Sequence, residues 1–191
     1  MIRLGALVSG GGRTVLNLQD AIDRGDLDAT IEVVIAHSPI IPAVERCTER
    51  GMNVVVVEPD ADLIDAALAA CAVQIVCLAG YLRKFRVGER WRNHAINIHP
   101  SLLPLHGGKG MYGHHVHDAV LLAGDAESGC TVHVADEEYD RGPTLLQRRC
   151  EVLPNDTSDS LAARIFAEEC IALPETLAAI DRGEIPLLRS W

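Results

Sequence analysis

The chain has no C-x-x-C pair, no long apolar run and no surplus of positive charge, and each shortage removes a class of protein. Its six cysteines stand singly at positions 47, 71, 77, 130, 150 and 170. Without paired spacing, neither a disulfide framework nor a structural zinc site is expected. Cys71, Cys77 and Cys130 fall in apolar segments, where a buried free thiol is the simpler reading. Nowhere do about 18 apolar residues follow one another, the length a membrane-spanning helix needs. The opening residues IRLGALV run directly into a strand-like pattern, without the charged leader and cleavage site of a signal peptide. A cytoplasmic protein is expected. Lys and Arg number 17 against 27 Asp and Glu, a formal net charge of −10. A nucleic-acid binder would show a basic face, but only Arg83-Lys84-Phe85-Arg86 and Arg148-Arg149 gather positive charge. Neither nucleic acid nor membrane is an expected partner, whereas a small anion held by a few local groups fits the balance. The G-x-S-x-G elbow of one serine hydrolase class and the G-x-x-x-x-G-K-[ST] phosphate loop are both absent.

What is present is an alternation of strand-like and helix-like segments. Apolar runs at 2–8, 31–37, 54–57 and 74–79 read as strands, and 14–24, 42–50 and 61–72 as helices. Near-continuous apolar strands separated by helices predict a parallel sheet covered on both faces, a doubly wound α/β fold. Residues 95–98, AINI, extend that sheet. Two later strands, 129–135 and 144–152, are joined by the short DEEYDRGP, which suits an antiparallel hairpin. A long helical pattern runs from Asp156 to about Arg182, and Pro174 should kink or divide it. With 191 residues and no linker-like stretch, one domain is expected over 1–191.

Three stretches carry candidate chemistry. SGGGRT lies between the first strand and the first helix, where glycines let backbone N–H groups approach a phosphate. The third glycine of a dinucleotide fingerprint is replaced by Val15, so a phosphate site is favoured over a dinucleotide site. In NIHPSLLP (97–104), strand alternation puts Asn97 and His99 on one face at a strand's carboxyl end. An amide and an imidazolium side by side can stabilise a developing oxyanion, and the imidazole can carry a proton near neutral pH. Such a pair needs an acid, and DEEYDRGP offers Asp136, Glu137, Glu138 and Asp140 without distinguishing them. The segment 106–117, HGGKGMYGHHVH, reads as a loop that closes over a ligand. His114, His115 and His117 are taken as cleft-lining or surface groups of that loop rather than metal ligands, although His114 and His117 would share a helix face.

NIHPSLLP together with GCTVHVADEEYDRGPTLLQ (129–147) resembles the glycinamide ribonucleotide transformylases, a branch of the folate-dependent formyltransferase family. The resemblance extends through LVSGGGRTVLNLQDAID, IVCLAGYLRKF and RIFAEECIALP, nearly the whole chain. It implies a Rossmann-like formyltransferase fold and transfer of a formyl group from 10-formyltetrahydrofolate to the primary amine of glycinamide ribonucleotide, in purine biosynthesis, without a metal. It implies that Asn97, His99 and Asp140 form the catalytic set, with His133 in support. Leu82, Arg83, Lys84 and Phe85 match one wall of a folate site; Asp136, Glu137, Glu138, Tyr139 and Asp140 match the other. Gly12, Arg13 and Thr14 match the turn that holds the substrate phosphate, and Glu169, with Glu168 beside it, a carboxylate that contacts the substrate. On this reading 1–95 is the substrate-binding half and 96–191 the catalytic and folate-binding half, in a monomer or homodimer.

The chain departs from the family pattern at three places. Relatives commonly carry Gly-Ser-Asn where this chain has Gly12-Arg13-Thr14. The segment EPDADLIDA (58–66) lacks a basic residue toward the folate tail, and the chain after Gly183 is short. The regulatory and C-terminal domains of formyltetrahydrofolate hydrolases and methionyl-tRNA formyltransferases are not expected. Arg13 keeps formyl transfer to another small amine, such as an amino sugar nucleotide, among the alternatives. Hydrolysis of the formyl folate and catalytically silent binding are the other two.

Overall fold

The computed structural model describes residues 1–185. Seven strands form one sheet: β1 (Ile2–Val8), β2 (Ala29–Ala36), β3 (Val54–Val56), β4 (Ile75–Leu78), β5 (Ala95–His99), β6 (Glu127–Val134) and β7 (Thr144–Glu151). Their spatial order is β3-β2-β1-β4-β5-β6-β7. β1 to β5 are mutually parallel, β6 is antiparallel to β5, and β7 is antiparallel to β6. The doubly wound, mostly parallel sheet and the hairpin expected from the sequence are both there.

Among the described residues five helices cover the sheet: α1 (Arg13–Asp23), α2 (Pro42–Glu49), α3 (Ala61–Ala70), α4 (His114–Ala123) and α5 (Ser158–Asp181). Each begins where local chemistry favours it. Pro42 occupies the first turn of α2, where its missing N–H costs nothing. Asp60 accepts from the Asp62 and Leu63 amides at the start of α3. Thr157 and Ser160 cap α5 reciprocally. Leu18, Val120, Leu161, Ile165 and Leu173 bury one face of the sheet beneath α1, α4 and α5, while Ile64, Leu68, Phe85 and Trp91 bury the other. That two-sided burial explains why the central strands read as unbroken apolar runs.

Two expectations are corrected. Of the kink or division expected at Pro174, division is ruled out, since α5 runs from Ser158 to Asp181 as one helix. A proline removes the N–H that would bond the carbonyl four residues earlier, here Cys170. The Asn17 side-chain amide on α1 donates to that Cys170 carbonyl at 2.9 Å, so the vacated acceptor is satisfied by a neighbouring helix. Residues 106–117 are not one loop either, because the helix α4 starts at His114. Among the described residues no helix is long and apolar enough to cross a membrane. The chain from residue 186, part of the short tail after Gly183, lies outside the described residues.

Candidate active site

The strand order reverses direction at β1 and β4, and in open α/β sheets ligands settle at such a switch point beyond the carboxyl ends of the strands. A cleft of about 640 Å³ lies there, a size suited to small-molecule ligands. It is lined by the turn after β1, the segment after β4, the end of β5, the β6–β7 connection and the inner face of α5.

At one end stands the glycine turn. Gly12 has φ +72°, and an added Cβ there would come within 2.9 Å of the Ala43 Cβ, so this position requires glycine. No side chain caps α1, which leaves its first N–H groups available to an anion at the positive end of the helix dipole. Arg13 and Thr14 line the cleft beside it. The Arg13 guanidinium is stacked over the Phe166 ring, 4.1 Å from its centroid. Glu169, one turn further along α5, faces the same space. Burial pushes its carboxyl up to about 7, against the opposing pull of Arg13. Glu168 does not line the cleft; its carboxylate accepts from the Arg148 Nε on β7 at 2.7 Å.

In the middle, β5 ends in Asn97 and His99, as strand alternation predicts. Antiparallel register places His133 of β6 directly opposite Asn97. His133 Nδ1 lies 2.9 Å from the Val134 carbonyl, which can only accept, so Nδ1 carries the proton. In the neutral ring Nε2 is then a free acceptor, and the Asn97 amide nitrogen donates to it at 3.1 Å. The second Asn97 N–H points to Asp140 Oδ1 at 3.3 Å. The reverse amide orientation would set oxygen against carboxylate.

Asp140 is the acid of DEEYDRGP that reaches the pair. It sits at φ +57°, a left-handed conformation that aspartate tolerates better than most side chains. Its Oδ2 accepts from the Gly108 amide at 2.9 Å and lies 3.6 Å from His99 Nδ1. Burial raises the Asp140 pKa, but the His133 ring 3.5 Å away, the nearby His99 ring and the Gly108 N–H outweigh it and hold the carboxyl below its usual range. His99 is 4 % exposed. Burial pulls its pKa below the ordinary imidazole value, while the Asp140 charge and the His106 carbonyl push it back up. Asp140 thus raises this pKa, yet desolvation prevails.

At the far end, Leu82, Arg83, Lys84 and Phe85 form one wall and Asp136, Glu137, Glu138, Tyr139 and Asp140 the other. Glu137 ties the walls together, accepting from the Gly88 amide at 2.9 Å with Lys84 Nζ 3.9 Å away. The close passage of the hairpin turn depends on Gly142, where any Cβ would run into the Val134 carbonyl oxygen.

Every site residue named from the sequence except Glu168 borders this one cleft. Sequence reasoning under-weighted His133, whose contact with both Asn97 and Asp140 depends on strand register. It expected His117 as a cleft-lining or surface group of a loop; the cleft position holds, the loop does not. His117 is buried on α4, lines the cleft, and its Nδ1 has no hydrogen-bond partner among the described residues. Its helical spacing from His114 was the available signal. Among the described residues no three His, Cys, Asp or Glu side chains converge as metal ligands would.

Comparison with known proteins agrees with this arrangement. The family described as Formyl transferase matches residues 2–177. The chloroplastic phosphoribosylglycinamide formyltransferase of Vigna unguiculata is 37 % identical over 98 % of this chain, and this chain spans 66 % of that protein's length. The phosphoribosylglycinamide formyltransferase of Haemophilus influenzae is 30 % identical, covering 98 % of this chain and 91 % of its own. The crystal structure of glycinamide ribonucleotide transformylase 1 from Symbiobacterium toebii superposes with a TM-score of 0.87 at 34 % identity, over 96 % of this chain and 89 % of that one. With its fold, its cleft and a match over residues 2–177, this chain belongs to the formyl transferase family.

Proposed function

We propose that this protein transfers a formyl group from 10-formyltetrahydrofolate to the primary amine of glycinamide ribonucleotide, a step of purine biosynthesis, in the cytoplasm. One observation carries the reading. Asn97, His99 and Asp140 meet midway along a single cleft, between an anion-binding turn with a buried carboxylate and a two-walled slot. That layout suits a phosphorylated amine at one end, a folate ring at the other and the reacting atoms between them. The relatives' names point to the same acceptor.

The donor supplies an electrophilic formyl carbon, and no metal is required. In this reading Gly12, Arg13 and Thr14 hold the acceptor phosphate, and Glu169 holds the acceptor near its amine. Residues 82–85 and 136–140 hold the folate. Attack by the amine builds negative charge on the formyl oxygen. The ionised Asp140 and the growing charge together bring His99 to its imidazolium form against its desolvation, the imidazolium meets that charge, and Asn97 turns an N–H from His133 toward it. Asp140 begins ionised, favours the His99 imidazolium and relays the proton that the attacking amine loses to the folate N10, so that the bond between N10 and the formyl carbon breaks and tetrahydrofolate leaves. His133 keeps Asn97 and Asp140 aligned. The chain acts as one domain, as monomer or homodimer, with residues 1–95 chiefly serving the acceptor and 96–191 the folate and the chemistry.

A second reading, formyl transfer to another anionic amine, is favoured by the Arg13 guanidinium stacked on Phe166. The deciding assay incubates the protein with 10-formyltetrahydrofolate and a panel of amines, including glycinamide ribonucleotide and amino sugar nucleotides, and identifies the formylated product. Turnover with glycinamide ribonucleotide at least a hundredfold above the others supports the main reading. Preference for another amine, or formate release without any acceptor, contradicts it.

A further inference from the structure

His99 can carry its proton on either ring nitrogen, and the structure decides which. Its Nε2 lies 2.9 Å from the His106 backbone carbonyl. A carbonyl only accepts, so Nε2 bears a hydrogen in both charge states. The nitrogen that gains and loses a proton is therefore Nδ1, the one 3.6 Å from Asp140.

The His106 carbonyl is held in place from several directions. His106 has φ +52°, in the left-handed region, where histidine, like Asn and Asp, is tolerated better than most residues. The preceding Leu105 carbonyl accepts from Ser101 Oγ at 2.6 Å. The following Gly107 packs tightly, since a Cβ there would displace the Leu103 side chain and press on the Asp140 Cβ at 3.3 Å. The His106 ring itself is anchored: its Nε2 meets Asp125 Oδ2 at 2.6 Å, just beyond the end of α4. A hydrogen bond to an ionised carboxylate is among the stronger kinds.

We propose that Asp125 and His106 form a clasp that fixes the tautomer of His99 and so directs its titrating nitrogen toward Asp140. Both are positioning residues. They act through the His106 carbonyl and touch neither the cleft's contents nor the reacting atoms. Four titratable groups face His99: Asp140 from the β6–β7 connection, His133 from β6, His106 from its own loop and His117 from α4. All four persist when Asp125 is replaced, so a change in His99 behaviour then reports the clasp. A carbonyl acceptor favours the imidazolium. Loosening it lowers the His99 pKa and moves the alkaline limb of the pH–kcat profile to lower pH.

The test has two arms. In the first, ¹⁵N NMR of histidine-labelled protein, with His99 assigned by difference from His99→Gln, reads the tautomer directly. Wild type should show the Nε2–H form when neutral. An Nδ1–H form overturns the proposal, whatever the protein catalyses. The second arm rests on the formyl-transfer reading and compares Asp125→Ala with Asp125→Asn. The clasp predicts a fall in kcat of about tenfold in Asp125→Ala, of the kind small misplacements cause. It also predicts KM values within twofold, averaged His99 signals and an earlier alkaline limb, with Asp125→Asn intermediate because it can still hydrogen-bond His106. An unchanged His99 signature in Asp125→Ala overturns the proposal, both with normal kcat and with an effect confined to KM. If wild type transfers no formyl group, the functional reading fails, while the NMR arm still judges the clasp.

Discussion

Asp140 receives an amide N–H from Gly108 and another from Asn97, and lies within 3.6 Å of both His99 and His133. Replacing it with asparagine keeps the shape and the tolerance for positive φ but removes the charge. Asp140→Asn should lower kcat at least a hundredfold while leaving the affinity for a folate analogue within a few-fold, as kinetics and calorimetry would show. His99→Ala should cost a similar factor, since both a charge and a proton carrier are lost. Glu169 gives a pH prediction. Its carboxyl titrates near 7, so it is increasingly neutral, and a poorer partner for an acceptor cation, as pH falls. The kcat/KM for the acceptor should decline below about pH 7 in wild type, and Glu169→Gln should lower it at high pH and flatten that limb. Wild-type behaviour in Glu169→Gln would place the carboxylate outside the acceptor site. At this scale the sequence was informative where local geometry decides, as with Asn97 and His99 on alternate strand positions. It was silent where a contact depends on register or loop path. Nothing in DEEYDRGP singles out Asp140, and nothing near His106 announces Asp125.

The five helices show which local signals survive tertiary context. Glycine and proline punctuation located α1, α2 and α3 to within a residue or two. α4 was hidden because its sequence follows a glycine-rich segment and starts with histidines, and its buried face needs Val116, His117 and Val120 to meet the sheet and α5. The rule that proline interrupts a helix failed in α5, since the rule counts only the helix's own hydrogen bonds. Asn17 supplies the missing one from outside. That account is testable by a double-mutant cycle. Asn17→Ala should destabilise the protein by about 1–2 kcal/mol in urea unfolding, the cost of leaving a carbonyl unpaired. In a Pro174→Ala background the restored backbone N–H can fill the same acceptor, and the Asn17 effect should shrink to a few tenths of a kcal/mol. Equal effects in both backgrounds would mean that Asn17 acts elsewhere. Gly142→Ala should be poorly tolerated, with low soluble yield or lost activity, because its Cβ meets backbone rather than a side chain that can turn aside.

Across the whole molecule, one sheet carries both ends of the cleft. β1 and β4 present the glycine turn and one wall of the slot, β5 the polar pair, and the β6–β7 connection the acid. α5 packs on β6, β7 and α1, so residues late in the chain seal the half built first. Unfolding should therefore be one cooperative transition, with far-UV circular dichroism and amide exchange in β1 and β6 giving the same midpoint. Two separated midpoints would mean that the halves fold independently. The alternation of apolar strands and helices made this architecture readable in advance, because burial on both faces writes itself into composition. The cleft's contents were less readable, because spatial neighbours from five separate segments define them. The most direct test of the account is a single-turnover reaction with isotopically labelled 10-formyltetrahydrofolate and glycinamide ribonucleotide, in wild type and in Asp140→Asn. The account predicts quantitative label transfer to the acceptor amine in wild type and transfer at least a hundredfold slower in the variant. Label released as formate, or equal rates in the two proteins, would contradict it.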